Sequence, residues 1–196
     1  MTKIINCVVS GVGGQGTVLT SKLISTAACS QGKFVRSSET IGMAQRGGCV
    51  LGHIRIGEGS FSPLVAKGTA DIMLAFEPGE AIRALPYLSD EGIVITSNRV
   101  VTPITASLNN AHYESEDMIS YLQSTLGNRL IVVDASRVDE VCGSQKALNV
   151  TLLGAACASG ALEISLQEAR DAIIYRVPER FHKMNFAALE LGASFV

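Results

Sequence analysis

The sequence predicts an α/β fold, a doubly wound and mainly parallel sheet with helices on both faces and a helical C-terminal portion. Three observations carry this. Short apolar runs alternate with segments of helical period along the first two thirds of the chain. A glycine cluster falls between the first apolar run and the first helical segment. The last third holds helical patterns only. No linker, repeat or low-complexity tract divides the 196 residues, so a single domain spanning 1–196 is expected.

Residues 4–10 (IINCVVS) form a short run that ends in glycines, as a strand buried on both faces does. Thr17–Ser30 carries apolar residues at helical spacing and is closed by Gly32. Residues 33–38 read as a second strand. Cys49–Ile56 sets Ile54 and Ile56 against His53 and Arg55, which predicts a strand with one wet face, hairpinned through Gly57, Glu58 and Gly59 to Phe61. Residues 72–76 and 93–96 are two more short strands, separated by a helix that opens at Glu77-Pro78, where proline suits the first turn. Ser115–Leu126 starts with acids and stops at Gly127, which predicts a helix leading into the strand Leu130–Val133. Residues 147–158 are apolar nearly all round, the mark of a deeply buried helix. Ser165 and Glu168 form a capping box for a helix ending near Arg176, and a last helix runs to Gly192.

Composition narrows the function. The apolar fraction of 47% excludes a disordered chain. Charged residues make up 17%, below the roughly 25% usual for soluble domains, which predicts a surface partly covered by another chain. A net charge of −2 offers no field for nucleic acid, and no run is long enough for a signal peptide or a membrane span. Five cysteines stand singly, and three of them (Cys7, Cys29, Cys157) sit in apolar or alanine-rich surroundings as small hydrophobes. With three distant histidines they form no metal-binding pattern. The expected setting is the reducing cytoplasm, with no metal held by this chain.

Gly11-Val12-Gly13-Gly14-Gln15-Gly16 satisfies G-x-G-x-x-G in the strand–turn–helix context of a Rossmann-like fold, with Thr17 opening the helix. Glycines there allow a tight turn and close approach of a phosphate to free amides, or merely let the helix pack close to the sheet. Glu39 falls near the end of the second strand, where a ribose-binding acid would sit. A second glycine-rich segment, residues 42–48, carries Gln45, Arg46, Gly47 and Gly48; Arg46 offers a planar fork to a carboxylate or phosphate, or is a solvated turn arginine. Glu77 and Glu80 flank Pro78-Gly79 at the carboxyl end of a strand. Glu80 reads as a helix-start acid and Glu77 is left open. No catalytic triad or dyad assembles.

The segments GVGGQGTVLTSKLISTAA, SSETIGMAQRGGCVLGHIRIG and ADIMLAFEPGEAIRAL together resemble the gamma subunit or gamma domain of the 2-oxoacid:ferredoxin oxidoreductases, most of all the small subunit of the indolepyruvate branch. The resemblance covers almost the whole chain, and the paired loops GVGGQG and GMAQRGG are far more specific than either alone. It implies oxidative decarboxylation of an aryl 2-oxoacid to its acyl-CoA with reduction of ferredoxin. It also implies that thiamine diphosphate, magnesium and iron–sulfur clusters reside on a large partner subunit, since this chain has neither a cysteine cluster nor a G-D-G…N-N motif. The isolated chain is then expected to be inactive and colourless, and the two loops to hold coenzyme A or to organise the interface with the thiamine subunit. Three other readings stand beside it. One is a free-standing NAD dehydrogenase using Gly11, Gly13, Gly16 and Glu39, another a gamma subunit of a pyruvate or ketoisovalerate enzyme, and the third a purely structural subunit.

Overall fold

The computed structural model describes residues 4–39, 47–59, 62–103 and 113–196. Strands β1 (Ile5–Val12), β2 (Val35–Glu39), β3 (Cys49–Ile56), β4 (Ala70–Ala75), β5 (Leu88–Ser97) and β6 (Leu130–Val133) form one sheet in the order β2-β3-β1-β4-β5-β6. β1, β4, β5 and β6 pair in parallel, whereas β3 runs antiparallel to both β1 and β2. Helices α1 (Thr17–Ser30), α2 (Pro78–Ala84), α3 (Ser115–Leu126), α4 (Ala135–Cys142), α5 (Leu148–Ala158), α6 (Leu166–Arg176) and α7 (His182–Ala193) cover the two faces.

Strand alternation sorts the core into two layers. On one face Cys7, Val9, Ile54, Ile72, Leu74 and Ile95 pack under α1, α5, α6 and α7. On the other, Val8, Met73, Ala75 and Val94 pack under α2 and α3 through Ala81, Ala84, Leu122 and Leu126. Every residue of α5 from Leu148 to Cys157 is buried, because this helix lies between the sheet and α7. The two helices touch backbone to backbone: a Cβ at Gly154 would fall on the Leu189 carbonyl, and one at Gly192 on the Thr151 carbonyl. The capping box at Ser165 forms as expected, with Glu168 Oε2 accepting the Ser165 amide at 2.7 Å.

Two expectations are corrected, and one helix went unannounced. β3 has no wet face over most of its length: Ile54 and Ile56 pack into the core on the α1 side, and on the other side His53 is buried against Tyr87. Its proposed hairpin partner Phe61 lies outside the described residues. The eight-residue α4 buries only Val138, which leaves too little apolar periodicity to announce a helix. Cys29 is exposed at the end of α1, whereas Cys7 and Cys157 are buried and all five thiols are free.

The helix after β1 lies on one face and leads to β2 on one side. The helix after β4 lies on the other face and leads to β5 on the opposite side. Adjacent β1 and β4 therefore flank the point where the winding reverses, and open α/β sheets bind ligands at the carboxyl ends of such strands.

Candidate functional site at the switch between β1 and β4

The glycine loop leaves β1 at this point. Gln15 does not reach outward but closes the turn: its Oε1 accepts the Val12 amide at 2.7 Å and its Nε2 donates to the Phe76 carbonyl at 3.4 Å. Gly11 is hemmed in by that side chain, Phe76 and Thr17, each about 3 Å from where a Cβ would stand. Thr17 is buried behind the loop. Gly16 has φ +94°, a left-handed conformation, and backs onto Asn149 of the buried helix α5. Thr20 N is the first amide of α1 to find a helical acceptor, the Gly16 carbonyl, and no side chain caps the helix. The preceding amides are thus available to an anion.

The end of the second glycine segment, Gly47 and Gly48, is part of the same structure. Gly13 N donates to the Gly48 carbonyl at 2.8 Å, and Gly47 N donates to the Gly13 carbonyl at 3.3 Å. These bonds extend the antiparallel β1–β3 ladder past its last pair, Val12 with Cys49. Gln45 and Arg46 lie outside the described residues.

Beside the glycine loop opens a cavity of about 670 Å³. Gly14, Gly16 and Asn149 form its floor, Leu19, Val177, Phe181 and Met184 an apolar wall, and Arg99 and Lys146 its cationic rim. Neither cation has an acidic partner among the described residues. Sequence reasoning missed these residues. Arg99 is a lone cation in a loop and Lys146 one in a single 3-10 turn, and the only hint of Asn149 was one amide in a mostly apolar helix.

Glu39 does not join this cavity. It is level with Gly52 of β3, which is itself level with Val9 of β1. It therefore stands two strands, about 10 Å, to the side of β1. The inserted β3 occupies the place that β2 would need for a ribose-binding acid to reach the glycine loop.

On the other side of the switch, Glu77 is wholly buried and caps α2, its Oε2 accepting the Glu80 amide at 2.8 Å. Its Oε1 accepts the Tyr113 hydroxyl at 2.9 Å. Burial raises the Glu77 pKa above the usual carboxylate value. Glu80 is 3% exposed; its Oε1 takes both Nε and Nη2 of Arg83, at 2.9 and 2.8 Å. Partial desolvation, reinforced by the neighbouring Glu80 carboxylate, pushes the Cys49 thiol up to about 11, so this cysteine is a poor nucleophile at neutral pH. Glu80 is thus the buried half of an ion pair whose Arg83 side is half exposed, and Glu77 is the cap. Among the described residues no three His, Cys, Asp or Glu side chains gather as metal ligands.

With this geometry in place, likeness to known proteins becomes informative. Residues 6–195 match the pyruvate ferredoxin/flavodoxin oxidoreductase family. The chain is 38% identical over 190 residues to the indolepyruvate oxidoreductase subunit IorB of Methanothermobacter thermautotrophicus, covering 95% of each chain. The pyruvate oxidoreductase subunit PORC of Thermotoga maritima shares the fold with a TM-score of 0.72 at 20% identity, over 99% of this chain and 97% of that one. A 2-oxoglutarate:ferredoxin oxidoreductase of Magnetococcus marinus, solved with 2-oxoglutarate, coenzyme A and succinyl-CoA, shares it at 0.69 and 16% identity, over all of this chain and 31% of that one. The glycine loop, the joined second loop and the end-to-end match place this chain in the pyruvate ferredoxin/flavodoxin oxidoreductase family.

Proposed function

We propose that this chain is the small, gamma-type subunit of an indolepyruvate:ferredoxin oxidoreductase. With a larger partner it would oxidatively decarboxylate an aryl 2-oxoacid to its acyl-CoA and reduce ferredoxin. The observation that carries this is the near full-length identity to an indolepyruvate oxidoreductase subunit. Residues 1–196 are read as one gamma-type domain. The cysteines, which stand singly in the sequence, support assigning the iron–sulfur clusters to the partner, and magnesium and thiamine diphosphate are placed there with them. Five free thiols support a cytoplasmic setting, and among the described residues no helix is long and apolar enough to cross a membrane.

The part given to this chain is to hold coenzyme A, whose thiol accepts the acyl group. The uncapped start of α1, Arg99 and Lys146 supply donors and positive charge for its phosphates. Leu19, Val177, Phe181 and Met184 offer an apolar wall to its uncharged arm. Gly11, Gln15 and Thr17 act from behind by fixing the turn. The displacement of Glu39 weighs against the NAD reading.

The test is steady-state kinetics of the reconstituted complex. Arg99→Ala and Lys146→Ala should each raise the KM for coenzyme A about 10- to 100-fold, the equivalent of one charge-assisted hydrogen bond, and leave the KM for the 2-oxoacid unchanged. Unchanged coenzyme A kinetics in both variants would remove the ligand from this cavity. A complex that turns over pyruvate but not indolepyruvate would move the chain to the other branch of the family.

A further inference from the structure

Glu39 sits in a cleft of its own. About 330 Å³ in volume, this cleft lies between α1, the edge strand β2 and the end of α6. We propose that it is a second ligand site, distinct from the cavity beside the glycine loop, and that it takes a small hydroxylated phosphomonoester such as a sugar phosphate.

The argument rests on how donors and acceptors are divided. Lys22 of α1 and Arg176 at the end of α6 both face the cleft, and neither is ion-paired among the described residues. Arg176 is held in place: its Nε donates to Thr26 Oγ1 at 2.8 Å and its guanidinium lies 5.3 Å from the Tyr175 ring centroid. Its terminal nitrogens are left for a ligand. The Ser37 hydroxyl, on the face of β2 that it shares with Glu39, has no partner among the described residues and adds one more donor. Two cations with a free hydroxyl suit a phosphate dianion.

The remaining lining is of the opposite kind. The Ser21 and Ser25 hydroxyls already donate to the Thr17 and Ser21 carbonyls, at 3.1 and 2.8 Å, so toward the cleft they can only accept. The Glu39 carboxylate is likewise an acceptor, with no cation within ion-pair distance among the described residues. A bare phosphate dianion has no hydroxyl for these acceptors and would meet Glu39 as a like charge. A ligand that joins a phosphate to neighbouring hydroxyls satisfies both halves. The volume matches a sugar phosphate and is at the low end for ligand sites, well short of a dinucleotide.

Calorimetric titration of the full chain with ribose 5-phosphate, inorganic phosphate and ribose separates the sources of this chemistry. Ribose 5-phosphate should bind at least tenfold more tightly than inorganic phosphate, and ribose should not bind. Lys22→Ala and Arg176→Ala should each weaken ribose 5-phosphate about tenfold or more. Glu39→Gln should weaken ribose 5-phosphate but not inorganic phosphate. Arg99→Ala, in the other cavity, should leave the affinity for ribose 5-phosphate unchanged. Melting temperatures confirm that each variant is folded, all four positions being at the surface or partly exposed. The proposal falls if ribose 5-phosphate gives no heat at 10 mM (roughly the edge of useful affinity). It falls equally if binding is unaltered in both cation variants, or if inorganic phosphate binds as well as the sugar phosphate.

Discussion

Gly13 and Gly48 are joined directly, the amide of the first donating to the carbonyl of the second at 2.8 Å. Two motifs 35 positions apart in sequence thereby become one rim of the switch between β1 and β4. What happens to the glycine turn is felt in the loop that leads into β3, and the reverse.

The first prediction concerns Gln15, whose side chain spans that turn. Gln15→Ala removes the bonds to Val12 N and Phe76 O. It should cost about 1–3 kcal/mol, because partly buried backbone groups are left without partners. Chemical denaturation of the full chain measures this. A stability unchanged within about 0.5 kcal/mol would mean that Gln15 is free to serve the ligand instead.

A second prediction uses two buried groups whose shifts oppose each other in their effect. Glu77 has a folded pKa raised above 4.5 by burial, so its contribution is whole below pH 4.5 and is lost as pH rises through the folded value. His53 is buried beside Tyr87, its Nδ1 accepting the Val65 amide at 3.3 Å, and burial lowers its pKa below 6.5. Its contribution is whole above pH 6.5 and is lost as pH falls. Glu77→Gln should flatten the decline in melting temperature on raising pH from 4.5, and His53→Gln the decline on acidification below 6.5. Melting curves from pH 4 to 8 check both. Parallel profiles for a variant and the wild type would show that the residue does not govern that limb.

The third prediction lies in the core. Gly154→Ala would drive a methyl group into the backbone of α7, and Gly192→Ala one into α5. Neither neighbour is a flexible side chain that could swing aside, so each should cost about 3 kcal/mol or more. Gly32→Ala is the comparison: its φ of +75° is strained for alanine, but nothing stands within 4 Å, and it should cost only about 1 kcal/mol. Equal losses at the three positions would contradict close helix contact.

Local signals were well preserved in the sequence. Thr17–Ser30, Leu130–Val133 and the Ser165 capping box stand where their spacing puts them, since each depends on neighbours within one or two helical turns or on a continuous apolar run. The glycine loop was legible for the same reason. The partners of β3 were not. Its residues alternate as an antiparallel strand does, but nothing local says that it pairs on both edges, and so nothing warned that Glu39 would be moved aside. Arg99 and Lys146 reach the cavity from segments far apart in sequence, so only the folded chain reveals that they belong together.

The insertion of β3 also bears on how the chain can assemble. In an ordinary βαβ unit the second strand docks on the first as soon as both exist. Here β2 borders only β3, and both neighbours of β1 come later in the chain than β2. The first 39 residues therefore cannot complete a single strand pair. β2 can pair with β3 over a short separation, Glu39 level with Gly52, but β1 finds its first partner only when β3 arrives, and the loop then closed runs from Val12 to Cys49. Contacts of such separation slow folding. Until residue 56 has emerged, a growing chain carries two exposed strands and one amphipathic helix with nothing to zip together.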